Sequence, residues 1–164
     1  MKTLYVMRHA KSAWGEPGLG DFDRPLLEKG KKRTKKVIDY LLNKRVKPEL
    51  IITSPALRAL ETARIMLHGL HVDKDALQEE KSIYTSDAGQ FSDVLFDIPA
   101  SVSSIMIVGH NPAVTEFINS FLDVKIDPIP TSGIAAFEFN ADDWNEIRKT
   151  DPKVKFIIYP KMLG

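Results

Sequence analysis

One local pattern occurs twice in this sequence and limits the fold more than any other feature. An apolar run leads through polar residues and a proline into a segment whose apolar residues have helical spacing. The first copy runs from residues 50–52 into Ser54-Pro55, and the second runs from residues 105–108 into Gly109-His110-Asn111-Pro112. Proline suits the first position of a helix, and strands that alternate with helices are typical of parallel sheets. The repeated pattern therefore predicts an α/β fold.

The remaining segments complete a three-layer α/β/α architecture with a mainly parallel central sheet and helices on both faces. Residues 4–7 and 105–108 are predicted to be central, buried strands, because their apolar character is continuous. Residues 31–43, 91–95 and 114–122 are predicted helices. Residues 134–139 and 154–159 follow each other closely and are expected to form an antiparallel pair at one edge of the sheet. Residues 1–164 are expected to form a single domain.

Several polar residues are predicted to cap these helices. Ser54 and Asn111 stand just before a proline that opens a helix, and Ser86 or Asp87 precedes the helix at residues 91–95. Gly69 is predicted to end the helix that follows Pro55. The N-termini of the two helices after Pro55 and Pro112 are expected to present free N–H groups to an anion.

Composition excludes several classes of protein. The 164 residues include no cysteine, which rules out a disulfide scaffold, an iron–sulfur cluster and a thiol nucleophile. The formal net charge of +1 gives no indication of a nucleic-acid or membrane partner. The first apolar run is interrupted at Arg8, so neither a signal peptide nor a membrane span is predicted. A cytoplasmic monomer is expected.

Four cationic or titratable residues follow the predicted strands. Arg8 and His9 end the first strand, Arg58 falls in the first turn after Ser54-Pro55, and His110 follows residues 105–108. The carboxyl ends of parallel strands share one edge of a sheet, so we expect these side chains to converge. Two arginines and two histidines suit a phosphoryl group, whose oxygens share negative charge during transfer. One histidine would attack phosphorus, and nearby arginines would keep its imidazole neutral.

A metal site, the basic run and two aromatic residues each have a simpler interpretation. A zinc site would need three or four protein ligands, and two neighbouring arginines would repel the metal. A basic run at the start of the first predicted helix is interpreted as a solvated face, with a polyanion patch as the alternative; it comprises Lys29, Lys31, Lys32, Arg33, Lys35 and Lys36. Trp14 and Phe22 are expected to anchor the loop after the first strand rather than to line a pocket.

The ordered set of motifs resembles the histidine phosphatase superfamily, whose fold is phosphoglycerate-mutase-like. The resemblance covers residues 4–132 and rests on Arg8-His9-Ala10, Ser54-Pro55 with Arg58 and Glu61-Thr62-Ala63, and Gly109-His110-Asn111-Pro112. Further motifs resemble the SixA-type phosphohistidine phosphatases, namely Lys11-Ser12, Asp23-Arg24-Pro25-Leu26 with Lys29-Gly30, and Thr131-Ser132-Gly133-Ile134-Ala135.

This resemblance implies a role for each matching position. His9 would be the nucleophile that forms a covalent phosphohistidine, and Arg8, Arg58 and His110 would hold the phosphoryl oxygens. Ser12 and Asn111 are further candidates for binding phosphate or substrate. Water would hydrolyse the intermediate, and the resemblance implies neither a metal nor a cofactor.

The sequence departs from the superfamily pattern at the general acid. Larger members of the superfamily carry a carboxylic acid between the second helix and the next strand, where this sequence offers Glu79 and Glu80 in other surroundings. A site without an acid favours phosphohistidine, because a neutral imidazole leaves more readily than an alkoxide. The expected function is dephosphorylation of phosphohistidine in a signalling protein. The alternatives are a phosphatase of small phosphomonoesters that uses Glu79 or Glu80, and a non-catalytic phosphate-binding module.

Overall fold

The computed structural model describes residues 1–84 and 87–164 and is built around a six-stranded mixed sheet. The strands are β1 (Lys2–Arg8), β2 (Leu50–Thr53), β3 (Leu77–Glu79), β4 (Ser104–Gly109), β5 (Ile134–Phe139) and β6 (Lys153–Ile158). Their spatial order is β3-β2-β4-β1-β5-β6. The first four strands in this order are parallel, and β5 and β6 run antiparallel to their neighbours. The predicted antiparallel pair at one edge is confirmed.

Helices cover both faces of the sheet, as the sequence predicts. They are α1 (Glu28–Asn43), α2 (Leu57–Gly69), α3 (Gly89–Phe96) and α4 (Ala113–Asn119). One hydrophobic core lies between the sheet and α1 with α2, and the other lies between the sheet and α3 with α4 and Trp144. No helix in the described ranges is long and apolar enough to cross a membrane.

The central strands are apolar throughout because both of their faces are covered. Leu4 and Val6 of β1 pack toward α3 and α4, whereas Tyr5 and Met7 pack toward α1 and α2. Strand side chains alternate between faces, so a strand with two covered faces needs apolar residues at consecutive positions. Burying one such side chain contributes about 1.5–3 kcal/mol relative to leaving it exposed. The two central strands thus form a rigid platform beneath the residues that follow them.

The helix boundaries differ from the prediction at two ends. α1 begins at Glu28 rather than at residue 31, because the backbone N–H of Lys31 already bonds to the carbonyl of Leu27. Near its start Gly30 contacts the chain after β1 so closely that an added Cβ would lie 2.4 Å from the Lys11 carbonyl oxygen. α4 ends at Asn119 rather than at residue 122, since the next residues bond to carbonyls three positions back and tighten the last turn.

The residues that precede the helices differ from the predicted helix caps. Asn111 and Asp87 each lie one position before the N-cap of the helix, since α4 begins after Pro112 and α3 after Ala88. From there the Asn111 side chain accepts a hydrogen bond from the N–H of Thr115, and Asp87 accepts one from Gly89. The alternative cap Ser86 lies outside the described residues. The prediction for Ser54 is wrong: α2 begins after Ala56, and the Ser54 hydroxyl accepts from the Ala56 N–H instead. Gly69 ends α2 as predicted.

Candidate active site

A pocket of about 730 Å³ opens at the carboxyl edge of the parallel strands. Arg8 is the last residue of β1 and pairs with Gly109 at the end of β4, so His9 and His110 follow adjacent strands side by side. The centroids of the two imidazole rings are 5.2 Å apart. Arg58 reaches the same pocket from the first turn of α2, and Ser12 and Asn111 also line it. The structure therefore brings together all four cationic or titratable residues that the strand ends suggested.

His9 is held in one tautomer and one charge state. Its Nδ1 lies 2.7 Å from the carbonyl oxygen of Ala10, and because a carbonyl only accepts, we assign the ring proton to Nδ1. Burial lowers the pKa of His9 to about 3, and the charges of Arg58 and Arg8 act in the same direction. The imidazole is therefore neutral at pH 7, with a free electron pair on Nε2. This is the state that a nucleophile requires.

His110 faces a hydroxyl that joins the two strand–helix junctions. Its Nε2 lies 2.7 Å from Ser54 Oγ, which explains why that hydroxyl is not free to cap α2. Burial, together with the charge of Arg58, lowers the pKa of His110 to about 4. Nδ1 of His110 is buried and has no hydrogen-bond partner among the described residues. The ring is neutral at pH 7 and keeps one nitrogen available for a ligand.

Hydrogen bonds fix the guanidinium groups of Arg8 and Arg58 at one end and leave their Nε atoms unpaired. Arg8 Nη1 donates to the carbonyl of Ile129 at 3.0 Å, and Arg58 Nη1 donates to the carbonyl of Asp21 at 2.8 Å. Within the described part of the chain, Nε of each arginine is buried without a partner. Buried N–H donors next to a free imidazole nitrogen make a site suited to a tetrahedral oxyanion.

This chain is similar to a known family and to several known proteins. Residues 4–94 match the family model described as the histidine phosphatase superfamily (branch 1). The chain belongs to the histidine phosphatase superfamily. A chloroplastic protein of Arabidopsis thaliana is 29% identical over 157 residues, which cover 88% of this chain and 70% of that protein. A 2,3-bisphosphoglycerate-dependent phosphoglycerate mutase of Bifidobacterium longum is 38% identical over 66 residues, which are 39% of this chain and 27% of the mutase.

Solved SixA structures share the fold of this histidine phosphatase over nearly its whole length. The SixA protein of Agrobacterium tumefaciens is 25% identical and has a TM-score of 0.80, with 97% of this chain and 99% of that chain covered. The protein histidine phosphatase SixA complexed with tungstate is 21% identical and has a TM-score of 0.82, with 99% of both chains covered. The SixA-type resemblance and the phosphoglycerate-mutase-like fold are confirmed.

The pocket of this histidine phosphatase is also lined by residues that the sequence did not mark as site residues: Lys11, Asp21, Arg24, Tyr84, Pro130 and Thr131. Asp21 accepts a hydrogen bond from the Tyr84 hydroxyl at 2.7 Å and forms ion pairs with Arg24 at 3.3 Å and Arg58 at 3.2 Å. The hydrogen bond from Tyr84, followed by the charge of Arg58, lowers the pKa of Asp21. Arg24 stands in a motif of the resemblance, whereas neither Asp21 nor Tyr84 has a sequence pattern that marks it.

Trp14 forms part of the pocket rim instead of anchoring its loop. Its side chain is 78% exposed, and the Arg24 guanidinium carbon lies 3.5 Å from the ring centroid. Phe22 packs against the Tyr84 ring with centroids 5.3 Å apart. The expectation that both aromatic residues are anchors is therefore wrong for Trp14, because a buried arginine rather than the core supports its ring.

The structure does not bring the two candidate acids into the pocket. Glu79 ends β3 opposite Thr53 and is exposed, and Glu80 accepts a hydrogen bond from the Gln78 amide at 3.2 Å. Neither glutamate is among the lining residues, of which Asp21 is the only carboxylate in the described part of the chain.

Two other features bear on ligand binding. Two of the N–H groups that were expected to be free at the start of α4 are occupied, because Val114 donates to the His110 carbonyl and Thr115 to the Asn111 side chain. Residues 1–84 and 87–164 contain no group of three or more histidine, aspartate or glutamate side chains placed to hold a metal ion.

Proposed function

We propose that this histidine phosphatase removes the phosphoryl group from a phosphohistidine residue of a signalling protein. The state of His9 carries the proposal: a buried, neutral imidazole with Nδ1 bonded to the Ala10 carbonyl and Nε2 free. A module that only binds phosphate has no need for a nucleophile held in this state, so the arrangement favours turnover over binding alone.

The proposed reaction has two displacements at phosphorus. In the first, the Nε2 lone pair of His9 forms a P–N bond while the P–N bond of the substrate breaks. The departing imidazole takes the electron pair of that bond and leaves neutral when its other nitrogen keeps a proton. In the second, a water oxygen attacks phosphorus and the bond to His9 breaks. Inorganic phosphate is released, the water proton passes to phosphate or solvent, and neutral His9 is restored.

The surrounding nitrogens stabilise both displacements. The guanidinium groups of Arg8 and Arg58 are fixed through carbonyl contacts and line the pocket. His110 also lines it, and its Nδ1 carries the donor proton in the tautomer whose Nε2 accepts from the Ser54 hydroxyl. Because these groups are already oriented, they need little reorganisation as negative charge moves onto the phosphoryl oxygens. A donor of this kind in an oxyanion site typically lowers the barrier by about 2.7–4 kcal/mol.

The choice of phosphohistidine rests on the leaving group. Asp21 is held ionised by Tyr84 and two arginines, so it is a poor proton donor at neutral pH. Departure of a serine alkoxide needs a proton, whereas imidazole leaves as a group whose conjugate acid has a pKa of about 6.5. The pocket therefore suits a substrate that needs no acid.

A comparison of substrates tests the proposal. We expect kcat/KM for a phosphohistidine protein and for an activated aryl phosphate to exceed that for a phosphoserine peptide by at least about 10²-fold, the lower range of general acid catalysis. Glu79→Gln and Glu80→Gln should leave this order unchanged. Equal turnover of the phosphoserine peptide, lost selectively in one of these two variants, would replace the proposal with a phosphomonoesterase that uses that glutamate. Tight phosphate binding without turnover of any substrate would indicate the non-catalytic module.

A further inference from the structure

A second cavity of about 830 Å³ lies directly beside the catalytic pocket. It runs between α1, the loop that follows α4, and the C-terminal turn at Pro160–Met162. Pro130 and Thr131 line both cavities, so the two spaces share one wall. We call the second cavity the basic groove, after the side chains of Arg33, Lys36, Lys125 and Lys161 that line it.

The groove concentrates positive charge in a chain that is nearly neutral. Its four cationic side chains face one carboxylate, that of Asp127, although the formal net charge of the whole chain is +1. Lys125 donates to the carbonyls of Asn119 and Leu122 at the end of α4. Arg33, Lys36 and Lys161 are exposed, and none of the three has an ion-pair or hydrogen-bond partner among the described residues. Their charges are thus available to a partner.

The wall between groove and pocket is held firmly against catalytic residues. The Ile129 carbonyl accepts hydrogen bonds from both Arg8 and Asn111, at 3.0 and 2.9 Å. Thr34 of α1 bonds to Ser132 through their hydroxyl oxygens at 2.8 Å. Gly133 packs so closely on this wall that an added Cβ would lie 2.3 Å from Ile129 Cγ1. A molecule that spans both cavities would therefore bind across a wall whose backbone is already fixed by hydrogen bonds and packing.

The chemistry of the groove fits a protein surface better than a small ligand. Small-molecule sites fix their ligand with a few precisely placed polar groups in a concave, mostly apolar setting. Here the charges sit on long, exposed side chains, which act through complementary potential rather than through fixed geometry. A carboxylate-rich protein surface is the matching partner.

We propose that the basic groove docks a carboxylate-rich surface of the phosphorylated protein while its phosphohistidine occupies the catalytic pocket; this inference rests on the proposed function. Two residues of the basic run, Arg33 and Lys36, line the groove. The other four lie outside it, namely Lys29, Lys31, Lys32 and Lys35.

Two phosphohistidine peptides of equal length provide the test, one with glutamates on both sides of the phosphorylated histidine and one with glutamines in their place. In the native full-length chain at low salt, we expect kcat/KM for the glutamate peptide to be about tenfold higher. Raising the salt toward 1 M should remove this preference, because the screening length falls to about 3 Å. An aryl phosphate serves as a substrate that reports on the pocket alone.

The groove is tested directly with the triple variant Arg33→Glu, Lys36→Glu and Lys161→Glu. A control with the same change of charge is Lys35→Glu, Lys47→Glu and Lys74→Glu, whose residues are exposed and line neither cavity. Lys47 and Lys74 precede β2 and β3, at the edge of the sheet opposite the pocket. The groove variant should lose the preference for the glutamate peptide and keep aryl phosphate turnover, which also shows that it folds. The control variant should keep both the preference for the glutamate peptide and the turnover of aryl phosphate.

The possible results separate the inference from the function it rests on. If the native chain hydrolyses both peptides equally, or if groove and control variants behave alike, the docking inference is overturned and phosphohistidine turnover stands. The docking inference is also overturned if the groove variant loses aryl phosphate turnover and the control variant keeps it. The substitutions would then have altered the catalytic pocket rather than a docking surface. If neither peptide is hydrolysed while the aryl phosphate is, the proposed function fails and the docking inference fails with it.

Discussion

The two walls of the catalytic pocket are built in different ways. The strand-end wall consists of Arg8 at the end of β1, His9 and His110 just after β1 and β4, and Arg58 from α2. The loop wall consists of Trp14, Asp21, Arg24 and Tyr84. Backbone bonds position the first wall: the His9 N–H donates to the Gly109 carbonyl at 3.0 Å, and the Arg8 N–H donates to Gly133 at 3.0 Å. Side-chain charges hold the second wall together around Asp21.

This difference assigns different work to the two walls. Groups placed by a sheet keep their geometry whatever their charge, so the strand-end wall suits bond making and breaking. A wall held by ion pairs at a half-exposed carboxylate is more easily altered, since Asp21 is 50% exposed and each such pair is worth about 0.2–1 kcal/mol. Substitutions in the strand-end wall should therefore remove catalysis, and those in the loop wall should adjust it.

The largest effect is expected for His9→Ala. The variant loses the nucleophile, so turnover of phosphohistidine and aryl phosphate substrates should fall by at least about 10³-fold. Rapid acid-free quenching with labelled substrate should show a phosphorylated native chain and an unlabelled variant. Circular dichroism should show an unchanged fold, and a variant that is still labelled would assign the nucleophile to another residue.

Arg58→Ala should produce the next largest effect. It removes the buried Nε–H donor and the ion pair with Asp21, and kcat should fall by about 10²–10³-fold. Arg64→Ala is the matched control, because Arg64 is exposed on the same helix and lines neither cavity. Steady-state kinetics with an aryl phosphate would measure both, and equal rates for the two variants would remove Arg58 from the mechanism.

Asp21→Asn is expected to have a smaller effect, which is to strengthen phosphate binding and to lower kcat. Loss of the carboxylate leaves Arg58 and Arg24 without their ion pairs, so inorganic phosphate should bind up to about fivefold more tightly. Less well oriented Arg58 should lower kcat at the same time. Product inhibition constants report the first change, and Asp23→Asn, two residues further along the same turn, is the control. Weaker phosphate binding in Asp21→Asn would show that the two walls do not differ as described.

A fourth prediction concerns stability in acid rather than catalysis. The pKa of His9 is lowered to about 3 and that of His110 to about 4, so between these values and about 6.5 the unfolded chain binds protons that the folded chain does not. Stability should therefore fall as pH decreases through this range, by up to about 1.4 kcal/mol per pH unit for each histidine. Urea unfolding of His110→Gln should show a shallower dependence on pH, and an unchanged slope would contradict the burial of a neutral ring.

The difference between the walls also explains what the sequence could reveal. Two junctions of strand, polar residue, proline and helix predicted the positions of Arg58 and His110, and the end of the first strand predicted those of Arg8 and His9. Parallel strands share a direction, so all four residues were expected at a common edge. The loop wall has no such rule: the hydrogen bond between Asp21 and Tyr84 joins residues 63 positions apart. Neither residue lies in a periodic segment, so their meeting depends on packing of the whole chain.

Ser54 shows a subtler limit on prediction. A serine before Pro55 fits a helix cap by local criteria, yet its hydroxyl contacts His110 on a neighbouring junction. Local propensity describes which bonds a residue can make, and the sheet order decides which partner is close. The same reasoning places Glu79 and Glu80 correctly near β3 without revealing that they miss the pocket.

The Trp14 ring stacked on Arg24 also provides an intrinsic fluorescence signal at the pocket rim. The sequence contains two tryptophans, and Trp144 is fully buried with its Nε1 donating to the Val102 carbonyl at 2.8 Å. Iodide in solution can reach the exposed indole at the pocket rim and is excluded from the buried one. The quenchable part of the fluorescence therefore comes from Trp14, and an anion that draws Arg24 away from its ring would change that emission as the pocket fills.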